Sequence, residues 1–294
     1  MEFSVWQEEK HNHINNCIAK SILSRGQTPT PLKEAMIYAT QNGGKRIRAL
    51  LVFATGEILN INGAILSNLA CAIELIHAYS LVHDDLPSID NDDLRRGQPS
   101  LHKAFDEGLA IITGDALQAL AYQCIVNIGE DSDDPQLILD ALELLLRSAG
   151  SEGMVGGQAI DIYNQNDLSE SDLLTMYRLK TGLLIECAIT MPALFDEESN
   201  SNKKTLIDCS IKLGQMFQLR DDLIEIIDET DSIGKPNNSD IKNGKRTYPA
   251  VFGVTQCKER LLDIVSNIDE QLRINHLSTS NFANIINSLK INLN

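Results

Sequence analysis

Apolar residues recur three and four positions apart along almost the whole chain, the spacing that lays a stripe down one face of a helix. Val5 to Leu23 reads as a first helix, and Pro31 sits near the start of a second that runs to about Tyr38. Gly43-Gly44 makes a turn, and a third helix follows from Lys45 to Leu59. Ser67 to Asp85 is a long apolar helix that Pro87 must stop. Phe105 to Ile128 is apolar on nearly all sides, which marks a central element or a subunit interface. Pro135 opens a helix that ends near Gly150, and Glu152 to Tyr163 is a shorter one. Ser169-Glu170-Ser171-Asp172 has the residues of a helix start and leads into Leu173 to Ile189. Thr205 to Ile227 is followed by a polar loop, Asp228 to Gly244, and then by three shorter helices.

The pattern contains no convincing period-two strand, no hairpin signal, no repeat and no linker. The expected fold is all-α, one domain over residues 1–294, built as a bundle of roughly ten or more helices. The loop at 228–244 has the length of a lid.

Composition narrows the partners. The chain is 43% hydrophobic, enough for a large core, and its formal charge of -16 argues against nucleic acid or an anionic membrane surface. The cysteines, Cys17, Cys71, Cys124, Cys187, Cys209 and Cys257, are widely spaced and mostly fall in apolar helical patterns, as buried free thiols do in a reducing compartment. The start, Met1-Glu2-Phe3-Ser4, lacks the basic segment of a signal peptide, and Asp115 interrupts the most apolar run. A soluble cytoplasmic protein with no stable membrane anchor is expected.

The chemistry gathers where the Ser67–Asp85 helix ends. Asp84, Asp85, Asp90, Asp92 and Asp93 fall within ten residues, and Arg95-Arg96-Gly97 follows. Asp84 and Asp85 sit at the negative end of the helix dipole. Adjacent carboxylates repel by about 4 kcal/mol per close pair at an effective dielectric near 20. A hard cation such as Mg2+ offsets this. The plain alternative is a solvated acidic loop.

A second acidic group lies on the Thr205–Ile227 helix. Gln218, Asp221, Asp222 and Glu225 stand at i, i+3, i+4 and i+7, on one face. Alone this would read as an exposed acidic stripe. Paired with Asp84, Asp85 and Asp90 it suggests two carboxylate walls across a cavity, with Mg2+ completing its shell from water and a substrate diphosphate. Lys45 and Arg48 form a basic helix N-terminus, poorly placed against the dipole unless an anion binds there.

Six motifs in order resemble the trans-prenyltransferases of the polyprenyl diphosphate synthase family, most of all the bacterial enzymes that make farnesyl diphosphate. They are Gly43-Gly44-Lys45-Arg46-Ile47-Arg48; Asp84 to Asp90 with Arg95-Arg96-Gly97; Gly156-Gly157-Gln158 with Asp161; Lys180-Thr181-Gly182; Phe217-Gln218 with Asp221-Asp222; and Gly234-Lys235 with Gly244-Lys245 and Thr247-Tyr248-Pro249. The resemblance implies an isoprenoid synthase-like bundle around a central cavity, working as a homodimer. It implies condensation of isopentenyl diphosphate with an allylic diphosphate and release of pyrophosphate.

It also implies several Mg2+ ions per site, with Mn2+ as a substitute, held by Asp84, Asp85, Asp90 and Asp221 with Asp222 and Glu225 nearby. Arg95, Lys180, Lys235 and Lys245 would add positive charge to the allylic diphosphate, and Thr181, Gln218 and the Lys180 carbonyl would face the allylic cation. Lys45, Arg48, His77 and Arg96 would bind isopentenyl diphosphate. In the resembling enzymes a bulky residue at the position of Tyr79, with Ser80 beside it, stops growth at fifteen carbons; Tyr79 precedes Asp84 by about 7.5 Å along the helix axis.

Three positions depart from the family pattern. Glu225 stands where a third aspartate is usual, Ala49 replaces a proline with little expected effect, and the basic C-terminal tail is reduced to Lys290. The rival readings are a geranylgeranyl or longer-chain synthase, a class I terpene cyclase and a non-catalytic partner subunit. Tyr79 speaks against the first, the Lys45/Arg48 pocket against the second and the two acidic groups against the third.

Overall fold

A computed structural model describes residues 2–130, 134–163, 169–196, 201–231 and 247–290, with only the backbone at 225 and 227–231. The expected all-α architecture is what it shows. Its contacts group into two compact units, Met1–Leu145 with Met191–Glu197, and Leu146–Thr190 with Glu198–Asn294.

The first unit is organised on α4 (Gly63–Asp84), which packs against α1 (Phe3–Leu23), α2 (Thr30–Gln41), α3 (Ile47–Ile58) and α6 (Glu107–Val126). Leu69, Ala70, Ala72, Ile73, Leu75 and Ile76 are buried all round the helix, as the absence of a polar face predicts. By length and composition Gly63–Asp84 and Glu107–Glu130 could each cross a membrane; 72% of the apolar window of the first and 44% of that of the second lie buried within the structure. The α6 helix starts where Asp106 accepts the N–H of Leu109 at 2.8 Å, two residues after the expected start.

Short elements escaped the hydropathy pattern. Leu94–Arg95 and Gln98–Pro99 pair as a two-residue antiparallel ladder, and α5 (Leu101–Ala104) is a single turn. Neither spans enough residues to show a period. The ladder is closed by Arg96 (φ 54) and Gly97 (φ 77), both left-handed, as a type I′ hairpin turn needs.

The α3 N-terminus is built from buried charge. Arg46 (φ 52) is its N-cap, and its guanidinium meets Glu74 at 3.1 Å, Asn15 at 2.9 Å and the Thr40 carbonyl. The other Glu74 oxygen accepts the Ala49 N–H at 3.1 Å, so a carboxylate caps the positive end of α3. The proline usual at position 49 in the resembling enzymes would lack that N–H.

Helix α7 (Pro135–Ala149) leads into the second unit, which holds α8 (Met154–Tyr163), α9 (Glu170–Tyr177), α11 (Asn202–Asp231) and the helices Tyr248–Phe252, Val254–Ile274 and Asn281–Leu289. Ser169 and Asp172 form the expected capping box. Arg178–Gly182 is a π turn that joins α9 to α10 (Leu183–Leu194). It makes close backbone contact on two sides. A Cβ at Gly157 would lie 2.3 Å from the Lys180 nitrogen, and one at Gly214 2.8 Å from the Gly182 Cα.

Glu74→Ala is expected to leave the Arg46 charge buried without its counter-ion. A loss of about 3–5 kcal/mol in urea unfolding follows. A loss under about 1 kcal/mol would show that the pair does not hold α3 in place.

Candidate active site

In the first unit, α4 ends at Asp84 and Asp85 is its C-cap. The chain then folds back tightly, with Leu86 N–H on the His83 carbonyl (3.1 Å) and Asn91 N–H on the Leu86 carbonyl (3.1 Å). Asp90 N–H donates to the Asp84 carbonyl at 2.9 Å, so the loop returns the third aspartate of the motif to the first. Asp84 and Asp90 are partly exposed, whereas Asp85 is buried. Burial pushes the Asp85 carboxyl up and Arg95 pulls it down. Arg95 grips Asp85 through both Nε (3.0 Å) and Nη2 and reaches Asp92 at 3.2 Å. His83 donates to the Ile111 carbonyl at 3.1 Å over Gly114 of α6, so it packs.

One helix turn and more from Asp84, basic groups converge. The partly buried His77 imidazole is held well below its ordinary pKa by desolvation and then by Arg48, Arg96, Arg46 and Arg95. A neutral imidazole beside several guanidinium groups is a ready anion pocket, because an anion would relieve their mutual repulsion. The Arg96 guanidinium donates to the Gly43 carbonyl and lies against Gly44, whose φ of 112 no side-chain-bearing residue adopts comfortably. Lys45 is exposed on the same turn. Lys45, Arg48, His77 and Arg96, read from the sequence as one pocket, therefore all belong to this unit, and His77, Arg48 and Arg96 are brought together. Tyr79 is 5% exposed, with its ring edge-on to His83 at 5.7 Å, and Ser80 donates to the His77 carbonyl at 2.9 Å.

In the second unit a hydrogen-bonded chain links three predicted residues. Thr181 Oγ1 donates to Gln218 Oε1 at 2.8 Å, and Gln218 Nε2 donates to Asp222 Oδ1 at 2.9 Å. The other Asp222 oxygen takes the Tyr177 hydroxyl and the Tyr248 N–H (3.2 Å). With all three donors Asp222 is 5% exposed, and desolvation raises its carboxyl to about 6. Asp221 is about half exposed and pairs with Arg220 at 2.7 Å. Lys180 Nζ meets Asp161 at 2.6 Å. The π turn carries Lys180 and Thr181, and such turns collect at functional sites. Tyr177 and Tyr248 are the partners that sequence reasoning missed, although Tyr248 stood within a quoted motif. The Glu225 side chain, Lys235 and Lys245 lie outside the described residues, as does most of the 228–244 loop.

The oxygen donors fit Mg2+. The hard cation uses one or two carboxylates and fills its shell with water and phosphate, and the tight loop brings Asp84 and Asp90 together for that. Among the described residues no three His, Cys, Asp or Glu side chains converge on one point, so the phosphate and water share of the shell would be large.

Geometry of this kind defines a class. The chain belongs to the polyprenyl synthetase family, whose model matches residues 29–277. It is 42% identical over 266 residues to a farnesyl diphosphate synthase of Geobacillus stearothermophilus, covering 90% of this chain and 89% of that one. A geranyltransferase structure from Legionella pneumophila superposes with a TM-score of 0.86 at 29% identity, covering 98% of this chain and 95% of that one. A geranyltransferase from Helicobacter pylori, solved with magnesium and isoprenyl diphosphate, gives 0.77 at 25% identity over 96% of this chain and 95% of that one.

Asp222 supplies a pH signature. Its folded pKa, about 6, lies above the ordinary carboxyl value of 3.8, so its contribution to stability is full below about 4 and is lost as pH rises through 6. In the absence of divalent cations, Asp222→Asn should gain on the parent protein between pH 4 and 7, by up to about 3 kcal/mol. Parallel urea-unfolding profiles across that range would contradict the shift.

Proposed function

We propose that the chain is an Mg2+-dependent prenyltransferase that condenses isopentenyl diphosphate with dimethylallyl or geranyl diphosphate, giving farnesyl diphosphate and pyrophosphate. The observation that carries this reading is the pair of sites on α4: guanidinium groups around His77, and the Asp84–Asp90 turn at the end of the same helix. One suits a bare diphosphate, the other a diphosphate bound through a cation. A farnesyl diphosphate synthase at 42% identity supports the product.

Residues 1–294 would then act as one domain; the family match from 29 to 277 spans both units and supports this. Asp84, Asp90 and Asp221 would hold the metal, with Glu225 near it. Asp85 would keep Arg95 extended along the diphosphate, and Asp222 would keep Gln218 and Thr181 in register. Bound Mg2+ supplies neutralisation of charge on the departing diphosphate. Arg95, Lys180, Lys235 and Lys245 add fixed positive charge to the same group, and in many enzymes such preorganised charge lowers the barrier more than any other effect. The oxygens of Thr181 and Gln218 face the allylic carbon as it becomes cationic. Lys45, Arg48, His77 and Arg96 hold isopentenyl diphosphate. No side-chain base is needed if the released pyrophosphate takes the last proton.

Ile111 (46% exposed), Ile112 (53%) and Val126 (58%) leave an apolar face on α6 that a second copy would cover, so a homodimer is proposed. A cytoplasmic location accords with thiols that are all free.

The decisive assay supplies labelled isopentenyl diphosphate and a five- or ten-carbon starter, with and without Mg2+. A fifteen-carbon product that needs both starter and cation is expected. No incorporation would overturn the prenyltransferase, and a twenty-carbon main product would overturn the chain length alone. Tyr79→Ala is expected to shift the main product beyond fifteen carbons; an unchanged distribution would free Tyr79 of that role.

A further inference from the structure

The turn that opens α3 holds a conformation few residues accept. Gly43 (φ 81), Gly44 (φ 112) and Arg46 (φ 52) are all left-handed. Such a turn persists only where its surroundings fix it. Arg46 is fixed by its buried partners, and the Gly43 carbonyl accepts from Arg96. The Gly44 carbonyl is held from outside the six motifs. His11, near the middle of α1, donates to it from Nε2 at 2.9 Å.

The sense of that bond is forced. Arg46 Nε can only donate, and it reaches Asn15 Oδ1 at 2.9 Å. The Asn15 amide therefore turns its nitrogen toward His11, one helical turn away, and donates to Nδ1 at 3.2 Å. Nδ1 accepts, so Nε2 carries the hydrogen, which the Gly44 carbonyl takes. A guanidinium at one end and a carbonyl at the other leave this chain one direction to run. From the end of α2, Gln41 adds a bond to the Asn15 carbonyl at 3.2 Å. The same turn is where the basic groups meet. The Arg96 guanidinium sits so close to Gly44 that a Cβ there would come within 2.5 Å of it. A shift of Gly44 would therefore move the surface on which Arg96 rests. A trans peptide points its C=O and N–H to opposite sides, so a Gly44 carbonyl held toward α1 turns the Lys45 N–H away from α1.

We propose that His11 is a positioning residue for isopentenyl diphosphate. Its hydrogen bond, relayed from Arg46 through Asn15, pins the Gly44 peptide and thereby sets Arg96 and Lys45 in the geometry that receives the diphosphate. It acts through the turn rather than on the substrate. The inference rests on the reading of Lys45, Arg48, His77 and Arg96 as the isopentenyl diphosphate pocket. It brings into binding a helix that lies wholly before residue 29, where the family match begins.

The test compares the full chain with His11→Leu, His11→Gln and His13→Leu. His13 lies on the same helix and bonds Ser67 of α4 at 2.8 Å, so its variant measures what a loosened α1 costs by itself. Titration with isopentenyl diphosphate in the absence of divalent cations reads the basic pocket alone. Steady-state runs with geranyl diphosphate and Mg2+ supply KM and kcat. His11→Leu is expected to raise both Kd and KM for isopentenyl diphosphate about five- to tenfold, the effect of one lost hydrogen bond. The kcat and the KM for geranyl diphosphate should stay within about twofold of the parent values, as loss of ground-state binding alone requires. His11→Gln keeps a donor for the Gly44 carbonyl and should recover most of the affinity, and His13→Leu should match the parent. The proposal fails if His11→Leu binds as tightly as the parent, if kcat falls as far as affinity does, if His11→Gln binds no better than His11→Leu, or if His13→Leu weakens binding equally. A parent chain that binds no isopentenyl diphosphate would overturn the pocket itself, and this inference with it.

Discussion

The structure depends on holding like charges close together where water and helix dipoles do not help. Asp84 and Asp85 end α4 at its negative pole, while Arg46 and Arg48 begin α3 at its positive one. Each placement is unfavourable alone. The chain offsets them unequally. Arg46 receives a full set of buried partners, with Glu74 bridging to the helix backbone, and Asp85 receives Arg95. Residues with that treatment are frame. Asp84, Asp90, Asp221 and Lys45 keep partial solvent exposure, and on them the proposed ligands would act.

That division explains what sequence could convey. The acidic turn, the capping box at Ser169 and the long apolar helices follow from spacing and local chemistry; the turn and the box stand where expected, and the helices differ at their starts, Gly63 for Ser67 and Glu107 for Phe105. The exchange of roles within a motif does not follow. Asp84 and Asp85 are neighbours of the same type, yet one is partly exposed and the other is closed over by an arginine ten residues on. Asp221 and Asp222 divide in the same way, because a helix turns successive side chains about 100° apart. Which of the two faces inward depends on Tyr177 and Tyr248, 45 and 26 residues distant in sequence. Tyr248 lies in a quoted motif, but nothing in the local pattern marks either tyrosine as a partner of Asp222. The hairpin and the single-turn helix before α6 were invisible for a simpler reason: elements of two to four residues complete no period.

The second unit shows the same economy. Thr181, Gln218, Asp222, Tyr177 and Tyr248 come from the π turn, α11, α9 and the Tyr248–Phe252 helix and share one run of hydrogen bonds. A side chain that would face an allylic cation is thus tied to Tyr248, at the start of the Tyr248–Phe252 helix. Shape at that point rests on directed bonds more than on apolar burial, which suits atoms that must stay in place while charge develops beside them.

The π turn at Arg178–Gly182 gives the rod from Glu170 to Leu194 one residue more than a regular helix of its length would hold. Deleting a residue there would regularise the backbone, yet every side chain beyond it would swing by about 100° around the axis. The surplus residue is therefore a register device. It lets the stretch that touches Gly157 and Gly214 and the stretch that follows each keep their own buried face, and it makes this segment intolerant of length change in either direction.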